Sequence, residues 1–299
     1  MPASPLIYLF LFVAGTALGS FLNVLILRYD PVHDTILRNA NGRSRCPHCR
    51  KTLNWYELIP LLSFIIQRGK CRSCGVKLTI QYPLVEFLGG LVFILVFWRF
   101  YSIYDTSLLP YLMMIIWSGV LFSLLVMSVI DFRERLIPDG VNLFIVFSGL
   151  LVIISQYFYP ESIFPNVGQW SLLGNYALIF PGSIGFPWDH FVGGLFGLGL
   201  FWGLYLISRG RGMGMGDVKL AGALGFFMGW PDASLALVSS FIIGALFSFV
   251  LIGLRLKTIK DFIPFGPFMA LGVVLIYMFG HGLVRNYFDF FGLLNIWSS

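Results

Sequence analysis

Long apolar segments recur along the chain and alternate with shorter polar stretches. A membrane-spanning helix needs about 20 mostly apolar residues, and eight segments of the chain meet or approach that length. They lie near residues 5–27, 83–100, 109–130, 137–158, 189–208, 218–230, 233–254 and 267–286. The pattern predicts an all-α polytopic membrane protein with about eight transmembrane helices.

The sixth apolar segment, residues 218–230, is shorter than the others. At about 1.5 Å per residue, a helix of this length reaches roughly 20 Å, which is less than the approximately 30 Å of the hydrocarbon core. We therefore expect either a locally thinned bilayer at this segment or a helix that ends inside the bundle.

Composition agrees with a membrane protein, because 58% of the 299 residues are hydrophobic and only 11% are charged. A second, soluble domain is not expected. Sparse cations on an apolar chain indicate membrane orientation, so the net charge of +6 predicts the lipid bilayer, and no nucleic acid, as a partner. No Lys or Arg precedes Arg28, and Pro5 to Leu27 is therefore interpreted as a retained first span rather than a cleavable signal peptide.

The positive charges lie almost entirely on one side of the predicted membrane. With eight spans, all of the 20 Lys and Arg residues except Arg99 and Arg285 fall in loops on the same side. Because these residues accumulate in short cytoplasmic loops, this side is predicted to face the cytoplasm and both termini to lie outside. The loop near 159–188 is rich in Pro, Gly and aromatic residues and is predicted to be an outside interfacial cap.

Four cysteines in the first large loop form two C-x2-C pairs separated by 21 residues, Cys46 with Cys49 and Cys71 with Cys74. Two such pairs can place four thiolates around one zinc ion in a tetrahedral shell. A closed four-sulfur shell leaves no position for water, so the predicted zinc is structural and folds a small cytoplasmic lobe. Two disulfides or redox cysteines are the alternative. His48 is expected to be solvated or to lie in contact with the ligands, although it could replace one.

Two acidic residues lie at the predicted cytoplasmic ends of apolar segments. Asp131 closes the third segment, and Asp217 opens the sixth. Paired carboxyl groups that share a proton can cleave an amide by activating water. The helix dipole predicts that Asp217, at a helix N-terminus, is ionised and that Asp131, at a helix C-terminus, is protonated at rest. Alternatively, Asp131 is a solvated loop acid, and Asp217 is an N-cap or a partner of Lys219.

Other polar and small residues allow two interpretations each. Gly214 and Gly216 could let the backbone approach a substrate closely, or could serve helix packing. Asn23 and Glu86 could hydrogen-bond between helices or contact a substrate or methyl donor. Asp139 could cap the fourth span or support catalysis.

Taken together, these motifs resemble those of type IV prepilin peptidases, membrane aspartyl proteases of the GxGD type. The resemblance covers most of the chain and rests on six stretches: Gly19–Val24, the four cysteines, Arg68–Arg72 with Tyr82–Glu86, Asp131 with Ile137–Asp139, Gly214–Lys219, and Ile263–Phe268. The loop near 159–188 is longer than the family core requires.

The resemblance implies a location, an activity and partners. Members of the family reside in the bacterial inner membrane and cleave a short basic leader from type IV prepilins or pseudopilins at the cytoplasmic face. It implies that Asp131 and Asp217 are the catalytic pair. From their positions in the sequence, we expect Gly214, Gly216, Lys219, Asp139 and Glu86 to support the site or to contact the substrate. Many members also methylate the new N-terminus with S-adenosylmethionine, an activity associated with the cysteine-bearing region.

On this interpretation the chain has three parts: a first transmembrane helix at 1–27, a zinc-binding lobe with a methyltransferase role at 28–82, and a transmembrane aspartyl peptidase core at 83–299. A different class of protein also fits the buried acids, namely a proton-coupled transporter or a scaffold. A membrane methyltransferase without peptidase activity is the third interpretation. Serine or cysteine catalysis is disfavoured, because His190 and His281 lie at the predicted outer ends of spans, away from the cysteines.

Overall fold

The computed structural model describes residues 4–31, 42–101, 108–158, 171–173, 185–258 and 261–290. Within these ranges the fold is helical, with no β-strand. The eight long helices are α1 (Pro5–Leu27), α2 (Gln81–Tyr101), α3 (Leu108–Glu134), α4 (Asp139–Phe158), α5 (Trp188–Ser208), α6 (Met215–Met228), α7 (Asp232–Gly253) and α8 (Gly266–Phe290).

Seven of these helices are long and apolar enough to cross a membrane, which confirms the predicted polytopic architecture. The exception among the eight is α6, with 14 residues and a length of about 21 Å. Gly229 has a positive φ of 76° and ends the helix before Trp230 and Pro231. Ten of the residues of α6 are buried, so this short helix is enclosed by its neighbours. This agrees with the expectation of a helix that ends inside the bundle.

The observed helices extend beyond the predicted apolar segments at several ends. The prediction begins the sixth span at residue 218, whereas α6 begins at Met215 and includes Asp217 in its first turn. The third span likewise continues past residue 130, so that Asp131 lies in the last turn of α3. The difference arises because apolar patterning identifies the part of a helix in lipid, while the helix itself can continue into its polar ends.

Small residues allow two pairs of helices to pack closely. At the contact between α1 and α2, a Cβ atom at Gly15 would lie 2.4 Å from the carbonyl oxygen of Gly89, and one at Gly19 would lie 2.7 Å from that of Val85. At the contact between α5 and α6, a Cβ atom at Gly197 would lie 2.2 Å from the carbonyl oxygen of Ala221. Such close approach of helix backbones is the usual function of small residues in membrane bundles, where dispersion contacts drive association.

The helix α3 contributes to two apolar clusters and thereby connects the bundle. Its residues Phe122, Val126 and Ile130 pack with side chains of α1 and α2 in the smaller cluster. Its residues Leu124 and Met127 belong to the larger cluster, which α4 to α8 also line. Asp131 therefore follows directly after a residue that contacts the α1–α2 pair.

The loop near 159–188 lies mostly outside the described residues. Of its described part, residues 171–173 contact the start of α7, where the Ser171 hydroxyl and the Leu172 backbone N–H donate to the buried Asp232 carboxyl group. These bonds tie the loop to the end of the bundle opposite the cysteine lobe.

We predict that Gly197→Ala destabilises the protein by about 1–3 kcal/mol, because the new methyl group would overlap the Ala221 carbonyl group. Gly199 lies on the same helix, and a Cβ atom there would meet no neighbour within 4 Å. Gly199→Ala is the matched control and should leave stability unchanged or raise it, since Ala favours the helix over Gly. Thermal unfolding in detergent measures both. Equal melting temperatures for the two variants would contradict the proposed close contact.

Candidate active site and metal site

Asp131 is buried where the end of α3 meets the beginning of α8. Its Oδ2 atom accepts a hydrogen bond from the Gly266 backbone N–H at 3.0 Å, and Gly266 is the first residue of α8. The carboxyl group thus lies at the negative end of one helix dipole and at the positive end of another. The end of α3 disfavours a negative charge on Asp131, whereas the beginning of α8 favours one.

Gly266 brings the α8 backbone unusually close to this carboxyl group. A Cβ atom at position 266 would lie 2.7 Å from Asp131 Oδ2 and 2.7 Å from the Met127 sulfur. Real Cβ atoms essentially never make such contacts, so a larger residue would displace the Asp131 side chain. Gly266 belongs to the stretch Ile263–Phe268, but nothing in the sequence of that stretch indicates that Gly266 is the partner of Asp131.

Asp217 is held in a similar way at the start of α6. It is the third residue of the helix, and its Oδ2 atom accepts from the Gly214 backbone N–H at 3.0 Å. Gly216, the residue before Asp217, lies against Ile137, six residues after Asp131, so the segments that carry the two acids are neighbours. Asp217 is not the N-cap residue, which is Gly214, but its side chain bonds back to the N-cap N–H from the third position of the helix.

Each of the two acids uses only one carboxyl oxygen in these bonds. Among the described residues, the Oδ1 atoms of Asp131 and Asp217 have no protein hydrogen-bond partner. Both side chains are largely withdrawn from solvent, with 5% and 7% of their surface exposed. This arrangement fixes the orientation of each carboxyl group and leaves one oxygen of each for another molecule.

Lys219 pairs with Asp139 and not with Asp217. Its Nζ atom lies 2.8 Å from both carboxyl oxygens of Asp139, the first residue of α4. Both side chains are exposed, so the ion pair stabilises the fold by at most about 1 kcal/mol. Its structural consequence is to join the beginnings of α4 and α6 beside Asp217.

The two glycines before Asp217 have different surroundings. A Cβ atom at Gly216 would lie 3.1 Å from the Ile137 Cβ atom, so this glycine permits close packing of α6 against the segment before α4. At Gly214 the nearest contact would be an ordinary 3.4 Å to Asp217, and it is the backbone N–H of Gly214 that contacts the acid. Gly216 therefore fits the helix-packing interpretation. A substrate contact for either glycine stays a prediction.

Asn23 and Glu86 join α1, α2 and the cysteine lobe. Glu86 Oε2 accepts from the Leu61 backbone N–H at 2.7 Å. Asn23 donates from Nδ2 to the Tyr82 carbonyl oxygen at 3.1 Å. These contacts correspond to the structural interpretation of both residues. The sequence does not indicate that the Leu61 N–H donates to Glu86. The Leu61 backbone has a positive φ of 60°.

The cysteine lobe lies between α1 and α2 and brings its four sulfur atoms together. The Sγ atoms of Cys46, Cys49, Cys71 and Cys74 all lie within 4.8 Å of one another, and no disulfide joins them. Each pair is closed by matching backbone bonds, Cys46 N–H to the Lys51 carbonyl and Cys71 N–H to the Val76 carbonyl. The alternative of two disulfides is not observed.

The sulfur geometry fits a zinc ion. Four ligands at about 2.3 Å in a tetrahedron place sulfur atoms about 3.8 Å apart, and the Cys46 and Cys74 sulfurs are separated by 3.9 Å. Backbone hydrogen bonds from Cys74 and Ser73 lower the pKa of the Cys71 thiol to about 7, whereas desolvation and hydrogen bonds with the other three cysteines raise the pKa of the Cys74 thiol to about 11. Metal binding would therefore release protons from this group. His48 is exposed and lies outside this sulfur group.

The fold and these sites together define a multi-pass membrane protein with two buried acids at helix ends and a four-cysteine lobe. Residues 13–100 match the bacterial peptidase A24 N-terminal domain, and residues 118–249 match the type IV leader peptidase family. The second match contains both Asp131 and Asp217 but ends before Gly266.

Several similar proteins share one name, and each matches this chain over most of its length. The prepilin leader peptidase/N-methyltransferase of Aeromonas salmonicida (strain A449) is 30% identical over 297 residues, covering 92% of each chain. That of Bacillus subtilis (strain 168) is 31% identical over 280 residues, covering 93% of this chain and 96% of the relative. No solved structure matches significantly. The chain belongs to the type IV leader peptidase family.

We predict that Cys46→Ser lowers bound zinc well below one ion per chain, because the substitution removes one of four thiolate ligands. His48→Ala is the matched control in the same turn and should retain the metal, since His48 lies outside the sulfur group. Metal analysis of purified protein measures both. Retention of zinc by Cys46→Ser, or its loss from His48→Ala, would contradict the four-sulfur site.

Proposed function

We propose that this chain cleaves the leader peptide from type IV prepilins or pseudopilins with Asp131 and Asp217, and N-methylates the new N-terminus. The observation that supports the catalytic pair best is that the two acids accept the same kind of hydrogen bond. A glycine N–H at the start of a helix holds Oδ2 of each acid, while Oδ1 has no partner in the described chain. Membership of the family supports the choice of substrate and reaction.

In the proposed reaction, one carboxylate accepts a proton from water as the oxygen attacks the scissile carbonyl carbon. The other carboxyl group donates its proton and stabilises the resulting tetrahedral species, and protonation of the amide nitrogen then allows the C–N bond to break. The acids must therefore carry one proton between them at rest. Like charges held close together favour such sharing, and the two pKa values belong to the pair.

The resting proton is assigned to Asp131 and the charge to Asp217, as the sequence argument predicts. Both groups accept a backbone hydrogen bond at a helix N-terminus, so the helix dipoles distinguish them less than the sequence suggests. Asp131 retains one distinguishing feature, its position in the last turn of α3. That helix end disfavours a negative charge and supports the assignment.

We further propose that the lobe side of the bundle faces the cytoplasm in the bacterial inner membrane, with both termini outside. The distribution of Lys and Arg supports this orientation. Residues 28–82 form the lobe, in which zinc serves a structural role, and S-adenosylmethionine would supply the methyl group. Gly214, Gly216, Lys219, Asp139 and Glu86 act as supporting residues around the site.

We predict that Asp131→Asn and Asp217→Asn each reduce the rate of prepilin cleavage at least about 100-fold, because each removes a group needed for proton transfer. Asp289→Asn changes an exposed acid on α8 and should cleave at the wild-type rate. Cleavage of a leader-bearing prepilin by purified protein measures all three. Undiminished cleavage by either of the first two variants would exclude the proposed pair and favour a transporter, scaffold or methyltransferase.

We predict that Gly266→Ala lowers the cleavage rate about tenfold or more, since the new methyl group would displace the Asp131 carboxyl group and small misplacements of catalytic groups are costly. Gly282→Ala, on the same helix with no neighbour within 4 Å, is the matched control. Cleavage rate and thermal unfolding are measured for both. A wild-type rate for Gly266→Ala would show that this close contact does not position the acid.

A further inference from the structure

The described part of the cysteine lobe carries an exposed apolar surface. In its short helix, Leu62–Ile66, the side chains of Leu62, Ile65 and Ile66 are 51%, 69% and 69% exposed. These positions are three and four residues apart and therefore share one face of the helix. Trp55 lies in the turn that packs against this helix and is 77% exposed. Exposed apolar patches of this kind mark interaction surfaces.

The short helix begins at the level of the membrane boundary. The backbone N–H of Leu61, the residue before it, donates to Glu86 Oε2 at 2.7 Å. Glu86 is the sixth residue of α2, about 8 Å along the helix from its first residue. Leu84 and Phe87, close to Glu86 on α2, are exposed on a helix that is apolar enough to cross the bilayer. The lobe therefore reaches down to the lipid instead of standing clear of it.

The charges of the lobe are almost all positive. Between residues 42 and 80 the chain has eight Lys and Arg residues and one acidic residue, Glu57. All eight cations are exposed, whereas Glu57 is buried and its Oε2 atom accepts from the Asn54 backbone N–H at 2.8 Å. Arg72 lies over the Tyr56 ring, 5.4 Å from its centroid, next to Trp55. Exposed cations without an exposed carboxylate on this part of the chain are complementary to anionic lipid headgroups.

A lipid surface fits these features better than the leader of a substrate does. The family resemblance implies a basic leader, which a surface with eight exposed cations would repel. Amphipathic surfaces that combine Trp, large apolar side chains and cations lie in the interface of a bilayer, with their apolar side about 5–10 Å below its surface. Trp and Tyr favour the same level, so the composition of this surface is that of an interfacial anchor.

We propose that the lobe is anchored on the bilayer beside α2. The side chains of Leu62, Ile65 and Ile66 insert among the acyl chains, Trp55 lies at the level of the headgroups, and the cations of the lobe bind anionic headgroups. The lobe is then held both by the bond from Leu61 to α2 and by lipid. This arrangement goes beyond the proposed function and does not depend on it, because it requires only that the bundle lies in a bilayer.

Quenching of Trp55 fluorescence by brominated lipid tests this arrangement. The full chain is placed in nanodiscs of phosphatidylcholine and phosphatidylglycerol, with or without bromine on the acyl chains close to the headgroups. The Trp55 signal is the difference between wild type and Trp55→Phe. We expect brominated lipid to reduce this signal at least about twofold, as for a Trp in the interface, and bromine near the chain ends to reduce it less.

Two other tryptophans provide matched controls. Trp202 on α5 is 47% exposed on a spanning helix and should be quenched, whereas Trp117 on α3 is 8% exposed within the larger apolar cluster and should not be. Trp202→Phe and Trp117→Phe give their signals in the same way. A Trp55 signal as insensitive to brominated lipid as that of Trp117 would overturn the proposal.

Variants of the short helix test its insertion. Replacing Ile65 and Ile66 together by Ser should abolish most of the Trp55 quenching, while replacing both by Leu should retain it, because Leu keeps the apolar face. Metal content equal to that of wild type shows that the lobe is folded in both variants. Equal quenching in the two folded variants would overturn the role of this helix.

The composition of the bilayer tests the cations. In nanodiscs of phosphatidylcholine alone, the attraction between the lobe and anionic headgroups is absent, so the Trp55 quenching should be weaker than with phosphatidylglycerol. Quenching that is equally strong in both bilayers would overturn the part that the proposal gives to the cations.

Crosslinking identifies the partner of the surface directly. A photoreactive amino acid in place of Ile66, which is 69% exposed, should crosslink to lipid in nanodiscs, both with and without a full-length prepilin present. Crosslinks only to the prepilin, or only to a second copy of this chain, would overturn the assignment of this surface to lipid.

Discussion

The hydrogen bond between the Gly266 N–H and Asp131 Oδ2 is the contact on which the proposed active site depends most. It joins residues 135 positions apart and connects the end of α3 to the beginning of α8. A buried carboxyl group without a partner would be costly, and here the partner is a helix N-terminus whose own N–H groups also need acceptors. One bond therefore satisfies both requirements and fixes the position of the acid.

The sequence predicted much of the fold because lipid imposes a simple rule. Every backbone polar group in the bilayer core must be paired, so spanning segments are long apolar helices that stand out in the sequence. Seven of the eight long helices follow from that rule, and the short α6 is the exception among them. The two C-x2-C pairs were equally informative, because their spacing is set by the tetrahedral geometry of a metal shell.

The partners within the candidate site were harder to predict. Asp217 and Lys219 are close in sequence, yet Lys219 pairs with Asp139, 80 positions away, because residues two apart on a helix point in different directions. Apolar patterning likewise does not determine which helix ends meet, so the contact of Asp131 with Gly266 was not foreseen.

The arrangement of α1 and α2 suggests how cleavage and methylation would be coupled in the proposed reaction. Glycine contacts hold these two helices together, and Glu86 ties them to the lobe at Leu61. The same pair packs against Ile130, the residue before Asp131. A new amino terminus formed at Asp131 would therefore arise beside the helices that carry the lobe. This short separation would allow the methylating region to reach the product before the product leaves the bundle.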